Sequence, residues 1–219
     1  DEEGSSVSRL SKIVNNNFSQ KLFGDMYNFN PKISLTFYKN YINNLSRLLR
    51  KIGVNINTVP VLDVLRKNTN KIIGDRSFSN NPNVVKLLGQ TCVQQYKLNK
   101  IATVIKHIPG HGCSVLDSHL KTPKVNLKFK DLNNLDFLPF KSNTSIFAMT
   151  AHIVYSKIDK NNVATFSKKI ISKIVRKKIG FKGILISDDI SIKATTHEKV
   201  DSFGKKEAIK AYAVCLLAK

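Results

Sequence analysis

Ile101-Ala102-Thr103-Val104-Ile105-Lys106-His107-Ile108-Pro109-Gly110-His111-Gly112-Cys113-Ser114-Val115-Leu116-Asp117-Ser118-His119 changes character within a few residues. The first five form a short apolar run, the pattern of a strand buried on both faces. The next fourteen, Lys106 to His119, hold three His, one Lys and one Asp. Pro109, Gly110 and Gly112 preclude a regular helix there, so the segment reads as a loop. A buried strand opening into a loop of ionisable side chains is how parallel α/β proteins build their sites, because loops at the carboxyl ends of the strands gather over the sheet.

The same alternation extends outward in both directions. Upstream, apolar residues at helical spacing from Leu35 to Ile52 predict a helix that stops at Gly53. Val54 to Val64 is β-rich and carries Asp63 near its end, and Asn81-Pro82 starts a helix running to about Leu98. Downstream, Leu132 to Lys141 reads as helix, Thr144 to Met149 as strand, Ser167 to Ile179 as helix and Gly183 to Ile186 as strand. Ser187-Asp188-Asp189-Ile190-Ser191 follows, then a helix around Lys205 to Ala213 and an apolar strand, Val214 to Ala218. Continuous apolar strands alternating with helices call for a parallel sheet with both faces covered. Polar signatures falling just after strands favour a barrel over a doubly wound sheet, and no GxGxxG or GxxxxGK[ST] phosphate loop is present.

Composition sets the outer bounds. The chain has 219 residues, 42% of them apolar, which excludes a wholly disordered or collagen-like protein. No apolar run approaches the ~18 residues of a membrane span. The start, Asp1-Glu2-Glu3-Gly4, lacks a signal peptide's n- and h-regions and an initiator Met, so the chain is expected to begin within a longer protein. Cys92, Cys113 and Cys215 show no CxxC spacing, which suits free thiols in a reducing compartment, the cytoplasm. Lys and Arg number 36 against 15 Asp and Glu, a formal charge of +21. Such a charge invites a nucleic-acid reading, yet it is spread along the chain. Its densest clusters, Arg47-Leu48-Leu49-Arg50-Lys51 and Lys168 through Lys178, read as solvated helix faces.

Taken singly, the chemical stretches keep bland alternatives. Lys106 to His119 reads as a solvated surface loop or as a zinc site using His107, His111, His119 and Cys113, although Pro109 and Gly110 oppose the helical i, i+4 geometry that the first pair needs. Asp188 and Asp189 leave a strand in different directions, so one can reach a pocket while the other anchors a helix start, or both can act as caps.

Together the pieces resemble a known family. Asp1-Glu2-Glu3-Gly4 with Arg9, Pro60-Val61-Leu62-Asp63-Val64, Gly74-Asp75-Arg76-Ser77-Phe78, the Lys106 to His119 loop, Met149-Thr150-Ala151-His152-Ile153-Val154-Tyr155 and Ser187-Asp188-Asp189-Ile190-Ser191 occur in order. They resemble the bacterial β-N-acetylglucosaminidases of glycoside hydrolase family 3, which act in peptidoglycan recycling. Lys-His-x-Pro-Gly-His-Gly followed by Asp-Ser-His carries most of the specificity.

The resemblance implies an α/β fold, a (β/α)₈ TIM barrel, with residues 1–219 forming one partial N-terminal-type catalytic domain. Asp1 would end the second strand and Val214 to Ala218 would be the eighth, so the first two strands and the eighth helix would be incomplete. The implied activity is a retaining exo-hydrolysis that removes terminal β-linked N-acetylglucosamine from muropeptides, with Asp188 as nucleophile and His119 as acid/base, oriented by Asp117. A histidine suits that role because it titrates near neutrality without a carboxylic acid's raised pKa. Substrate contacts carried over by motif are Asp1, Arg9, Arg76, Lys106 and His107. Asp63 is expected to support a loop from behind, His111 and His152 to scaffold the pocket, and Cys113 to be a bystander. The expected protein is a cytoplasmic monomer with a carbohydrate partner, without cofactor, metal, nucleic acid or membrane. Family members carry Gly-Gly-Arg where this chain has Gly4-Ser5-Ser6-Val7, so the loop holding Asp1 is expected to differ. An inactive, truncated or degenerate pseudoenzyme of the same family and a basic nucleic-acid-binding protein remain the alternative readings.

Overall fold

Chain order and spatial order coincide in the central sheet. A computed structural model describes residues 1–116 and 122–187. Strands β1 (Glu2–Gly4) and β2 (Val7–Ser8) form an antiparallel hairpin, followed by α1 (Gln20–Phe29), α2 (Pro31–Lys51) and β3 (Ile56–Asn57). Next come α3 (Pro82–Leu98), β4 (Ala102–Ile108), β5 (Lys124–Val125), α4 (Phe129–Asn134), β6 (Phe147–Thr150) and β7 (Val154–Tyr155). A π-wound helix, Ile170–Ile179, leads to β8 (Ile184–Ser187). The main sheet is parallel with order β3-β4-β6-β8, and β5 and β7 make a second parallel pair.

Each new strand joins the sheet beside the previous one, always on the same side. A doubly wound sheet reverses direction at a switch point, whereas barrel winding does not. The architecture is therefore α/β of the TIM-barrel type. Among the described residues the sheet ends at β3 and β8 and does not close, and the helix and strand expected at Lys205 to Ala218 lie outside them.

The helices begin where their caps dictate. Asn30 Oδ1 accepts the Ile33 N–H at 3.1 Å, and Pro31 supplies a preset φ at the first helical position. The helix expected from Leu35 therefore starts four residues earlier, at Pro31. Its buried stripe, Ser34, Tyr38, Ile42, Leu45 and Leu49, faces the core at helical spacing. Asn81 and Pro82 repeat the device for α3. The sequence reading missed α1, although Ser19 caps it by accepting the Leu22 N–H.

Two expected elements are shorter than anticipated, and proline explains both. In the Val54 to Val64 stretch only Ile56–Asn57 joins the ladder, because Pro60 has no N–H to donate; one further bridge, Val61 to Lys106, restores contact beyond it. The helix expected over Leu132 to Lys141 becomes Phe129–Asn134 plus a 3₁₀ turn at Leu138–Phe140, because Pro139 cannot continue the first helix.

Helix α3 packs on α2, β4 and the 3₁₀ turn, burying Val85, Leu88, Cys92 and Val93. Leu88 is fully enclosed and Leu98 is 76% exposed. Leu88→Ala is expected to cost about 2–5 kcal/mol, and Leu98→Ala less than about 0.5 kcal/mol, as read from urea midpoints of the two variants.

Candidate active site

Lys106 stands near the end of β4 with its side chain inside the protein, 1% exposed. A buried ammonium must be neutralised by partners held close to it. Nζ lies 2.6 Å from Asp1 Oδ1 and 2.6 Å from Glu3 Oε1. It also donates to Thr58 Oγ1 at 3.3 Å, while that hydroxyl donates to Asp1. Glu3 grips Arg76 at two points, Nε to Oε2 at 2.8 Å and Nη2 to Oε1 at 2.9 Å. The third guanidinium nitrogen, Nη1, reaches the Ile72 carbonyl at 3.1 Å. One buried carboxylate thus orients two cations.

The backbone explains this convergence. Asp1 and Glu3 are two residues apart in extended chain and so share a face. Glu2 faces the other way and accepts from Ser8 Oγ, Asn16 Nδ2 and the N–H groups of Arg9 and Leu10. Asn57 of β3 clamps both the Glu2 N–H and the Glu2 carbonyl, which ties the hairpin to the main sheet. Where the family pattern has Gly-Gly-Arg, Ser5 and Ser6 both donate to Asp75, at 2.7 and 3.1 Å. The loop departs in sequence but is fastened directly to the segment that carries Arg76.

The second half of the site lies alongside. Leu62 N–H donates to the Lys106 carbonyl at 2.6 Å and Lys106 N–H to the Pro60 carbonyl at 3.1 Å, which lays Asp63 against His107. Asp63 is fully buried and its Oδ2 lies 2.7 Å from His107 Nδ1. The loop beyond is fixed at several points. His111 N–H donates to Asp63 Oδ1, Tyr155 OH to the Gly110 carbonyl, and Thr69 Oγ1 to the Gly112 carbonyl. Gly112 passes so close to Val64 that a Cβ there would lie 2.0 Å from the Val64 carbonyl oxygen. Only glycine fits at that crossing.

Burial and charge oppose each other across the site. Burial raises the Glu3 pKa, but the Arg76 hydrogen bonds and the Lys106 charge outweigh it and hold Glu3 below the ordinary carboxylate range. Asp63 is likewise pushed up by burial and pulled below its ordinary value by His107. His111 is held down at about 4, chiefly by burial. Burial pushes the Cys113 thiol well up, so it stays protonated and is a poor nucleophile.

Of the contacts expected from sequence, Asp1, Arg76 and Lys106 meet in one network and His107 lies beside it. Arg9 does not join them. It is exposed, and its backbone N–H is what engages Glu2. Asp117, His119 and Asp188 lie outside the described residues. Ser187, which precedes Asp188, is paired with Thr150, and Thr150 with Ile108, at the carboxyl ends of three adjacent strands. Among the described residues no group of His, Cys, Asp and Glu is placed to hold a metal ion; His107 Nδ1 is engaged by Asp63 and Cys113 Sγ approaches the Gly110 carbonyl. Glu3 and Asp75 join the network without having been expected as contacts, although both stand in the quoted motifs and Glu3 lies two residues from Asp1.

Residues 7–213 match the family described as Glycosyl hydrolase family 3 N terminal domain. The chain belongs to glycosyl hydrolase family 3. It is 30% identical to a Beta-hexosaminidase of Nitrosomonas eutropha, covering 96% of this chain and 61% of the relative. It is also 30% identical to Beta-hexosaminidase A of Pseudoalteromonas piscicida, covering 88% of this chain and 34% of the relative. Among solved structures, NagZ from Neisseria gonorrhoeae in complex with N-trifluoroacetyl-D-glucosamine aligns with a TM-score of 0.83 at 28% identity, covering 97% of this chain and 62% of that one. This family 3 chain thus spans about a third to three fifths of the length of these relatives.

Two outcomes follow for the network. Glu3→Gln leaves Lys106 and Arg76 short of their shared anion, and is expected to cost about 3–5 kcal/mol in urea unfolding. Acid should act on the unmodified protein from higher pH. Unfolded His111 takes a proton below its ordinary 6.5 while the folded residue resists until about 4, so stability is lost across that interval as pH falls. Glu3 and Asp63, lowered in the folded state, stabilise above their ordinary values of 4.5 and 3.8 and lose that contribution below them. Urea midpoints measured against pH should fall in these two stages, and His111→Gln should flatten the upper one.

Proposed function

We propose that residues 1–219 are part of the catalytic domain of a cytoplasmic, monomeric β-N-acetylhexosaminidase that removes terminal β-linked N-acetylglucosamine from peptidoglycan fragments. The observation that carries this reading is the buried Asp1–Lys106–Glu3–Arg76 network beside His107, placed where parallel strands end. Carboxylate, ammonium, guanidinium and imidazole groups fixed in one place match the donor and acceptor pattern of a sugar's hydroxyls. Asp1 accepts and Arg76 donates, while Lys106, whose three N–H groups meet Asp1, Glu3 and Thr58, turns one of them from its protein partner to the sugar. The relatives named as hexosaminidases, and the glucosamine derivative bound to the Neisseria protein, point to the same substrate class.

The chemistry is a two-step displacement. Asp188 attacks the anomeric carbon while His119 gives a proton to the departing glycosidic oxygen, so that the carbon–oxygen bond breaks and a glycosyl–carboxylate ester forms. Asp117 orients the imidazole and stabilises its charged form. A water molecule then attacks the same carbon, gives its proton to His119 and restores the Asp188 carboxylate, with net retention.

Purified protein carrying the whole barrel is expected to release chromophore from a β-N-acetylglucosaminide, and Asp188→Asn to lower kcat by about 10⁴-fold or more. Wild-type protein no faster than buffer, or an undiminished Asp188→Asn variant, overturns the reading.

A further inference from the structure

Asp63 touches no surface, yet both of its carboxylate oxygens and its carbonyl are engaged. Oδ2 faces His107 Nδ1 at 2.7 Å. Oδ1 accepts the His111 N–H at 2.5 Å and, at 3.4 Å, the His107 N–H. Its carbonyl accepts the Ser77 hydroxyl at 2.5 Å. These bonds are not interchangeable. A backbone N–H can only donate, so the Oδ1 position must hold an acceptor, and the carboxyl plane is then fixed with Oδ2 toward the imidazole.

We propose that Asp63 is a positioning residue that sets the proton pattern of His107, holding the proton on Nδ1 and thereby leaving Nε2 as the ring nitrogen available to a ligand. In neutral His107 that nitrogen accepts a hydrogen bond. A sugar hydroxyl meeting it acts as donor and keeps its own oxygen free to accept. The same carboxylate holds the His107–His111 turn through Oδ1, so ring orientation and loop conformation are set by one group. His107 retains 9% of its side-chain exposure while Asp63 has none, so a ligand can meet the histidine and not the aspartate.

The geometry makes an unusual substitution informative. In Asp63→Asn the backbone donors keep the amide oxygen at the Oδ1 position, so the amide NH₂ turns toward His107. Nδ1 must then accept, and the proton moves to Nε2. The volume is unchanged but the hydrogen-bond polarity presented to a ligand is reversed.

Long-range proton–nitrogen correlation NMR on the full chain tests this, with the His107 resonances assigned by their loss in His107→Gln. Wild-type His107 should carry its neutral-form proton on Nδ1, and Asp63→Asn should carry it on Nε2. The part of the inference that concerns a sugar rests on the proposed function, and is read separately from N-acetylglucosamine binding. Asp63→Asn should weaken binding by about tenfold or more, the loss of one well-placed hydrogen bond. The same tautomer in both proteins, or an Nε2 proton in the wild type, overturns the assignment. A switched tautomer in proteins that both fail to bind the sugar upholds the role of Asp63 and overturns the sugar reading. Should Asp63→Asn not fold, the wild-type tautomer alone decides.

Discussion

The ammonium of Lys106 sets the terms for much of this structure. A cation enclosed by protein has lost its water and must recover that energy from anions held at short range. The chain supplies them from far away in sequence. Asp1 and Glu3 come from the amino-terminal hairpin, and Glu3 brings Arg76 with it from the segment after β3. The hairpin is in turn fastened to the sheet by Asn57 and to the Arg76 segment by Ser5 and Ser6. A network that cannot be dismantled one member at a time gives a rigid set of donors and acceptors.

The fold was legible in the sequence where periodicity and punctuation agreed. Asn81-Pro82 gave the start of α3, Gly53 closed the run of α2, and the apolar stretch at Ile101 gave β4. It was illegible where proline intervened within a pattern. Pro60 and Pro139 cut a strand and a helix that their neighbours' side chains support, because hydropathy records which face is buried and not whether an N–H exists to be bonded. Helix α1 went unread although Ser19 marked its start.

Site residues followed a different logic. Asp1, Arg76, Lys106 and His107 are expected from the family motifs, and the structure draws the first three into one network with His107 beside it. Glu3 and Asp63 were passed over as contacts because their partners are other protein groups, and that is visible only in three dimensions. Arg9, expected as a contact from its motif, presents an exposed side chain and engages Glu2 through its backbone N–H.

Burying Glu2, Glu3, Asp63 and Asp136 has a consequence for the outside of the molecule. Four carboxylates leave the surface, whereas Lys106 is the sole buried ammonium among the described residues. Among the described residues, the solvent-facing shell is therefore more cationic than their formal charges alone indicate. Such a shell repels copies of itself and gathers small anions, so the colloidal behaviour of this protein is governed by ionic strength as much as by its apolar surface.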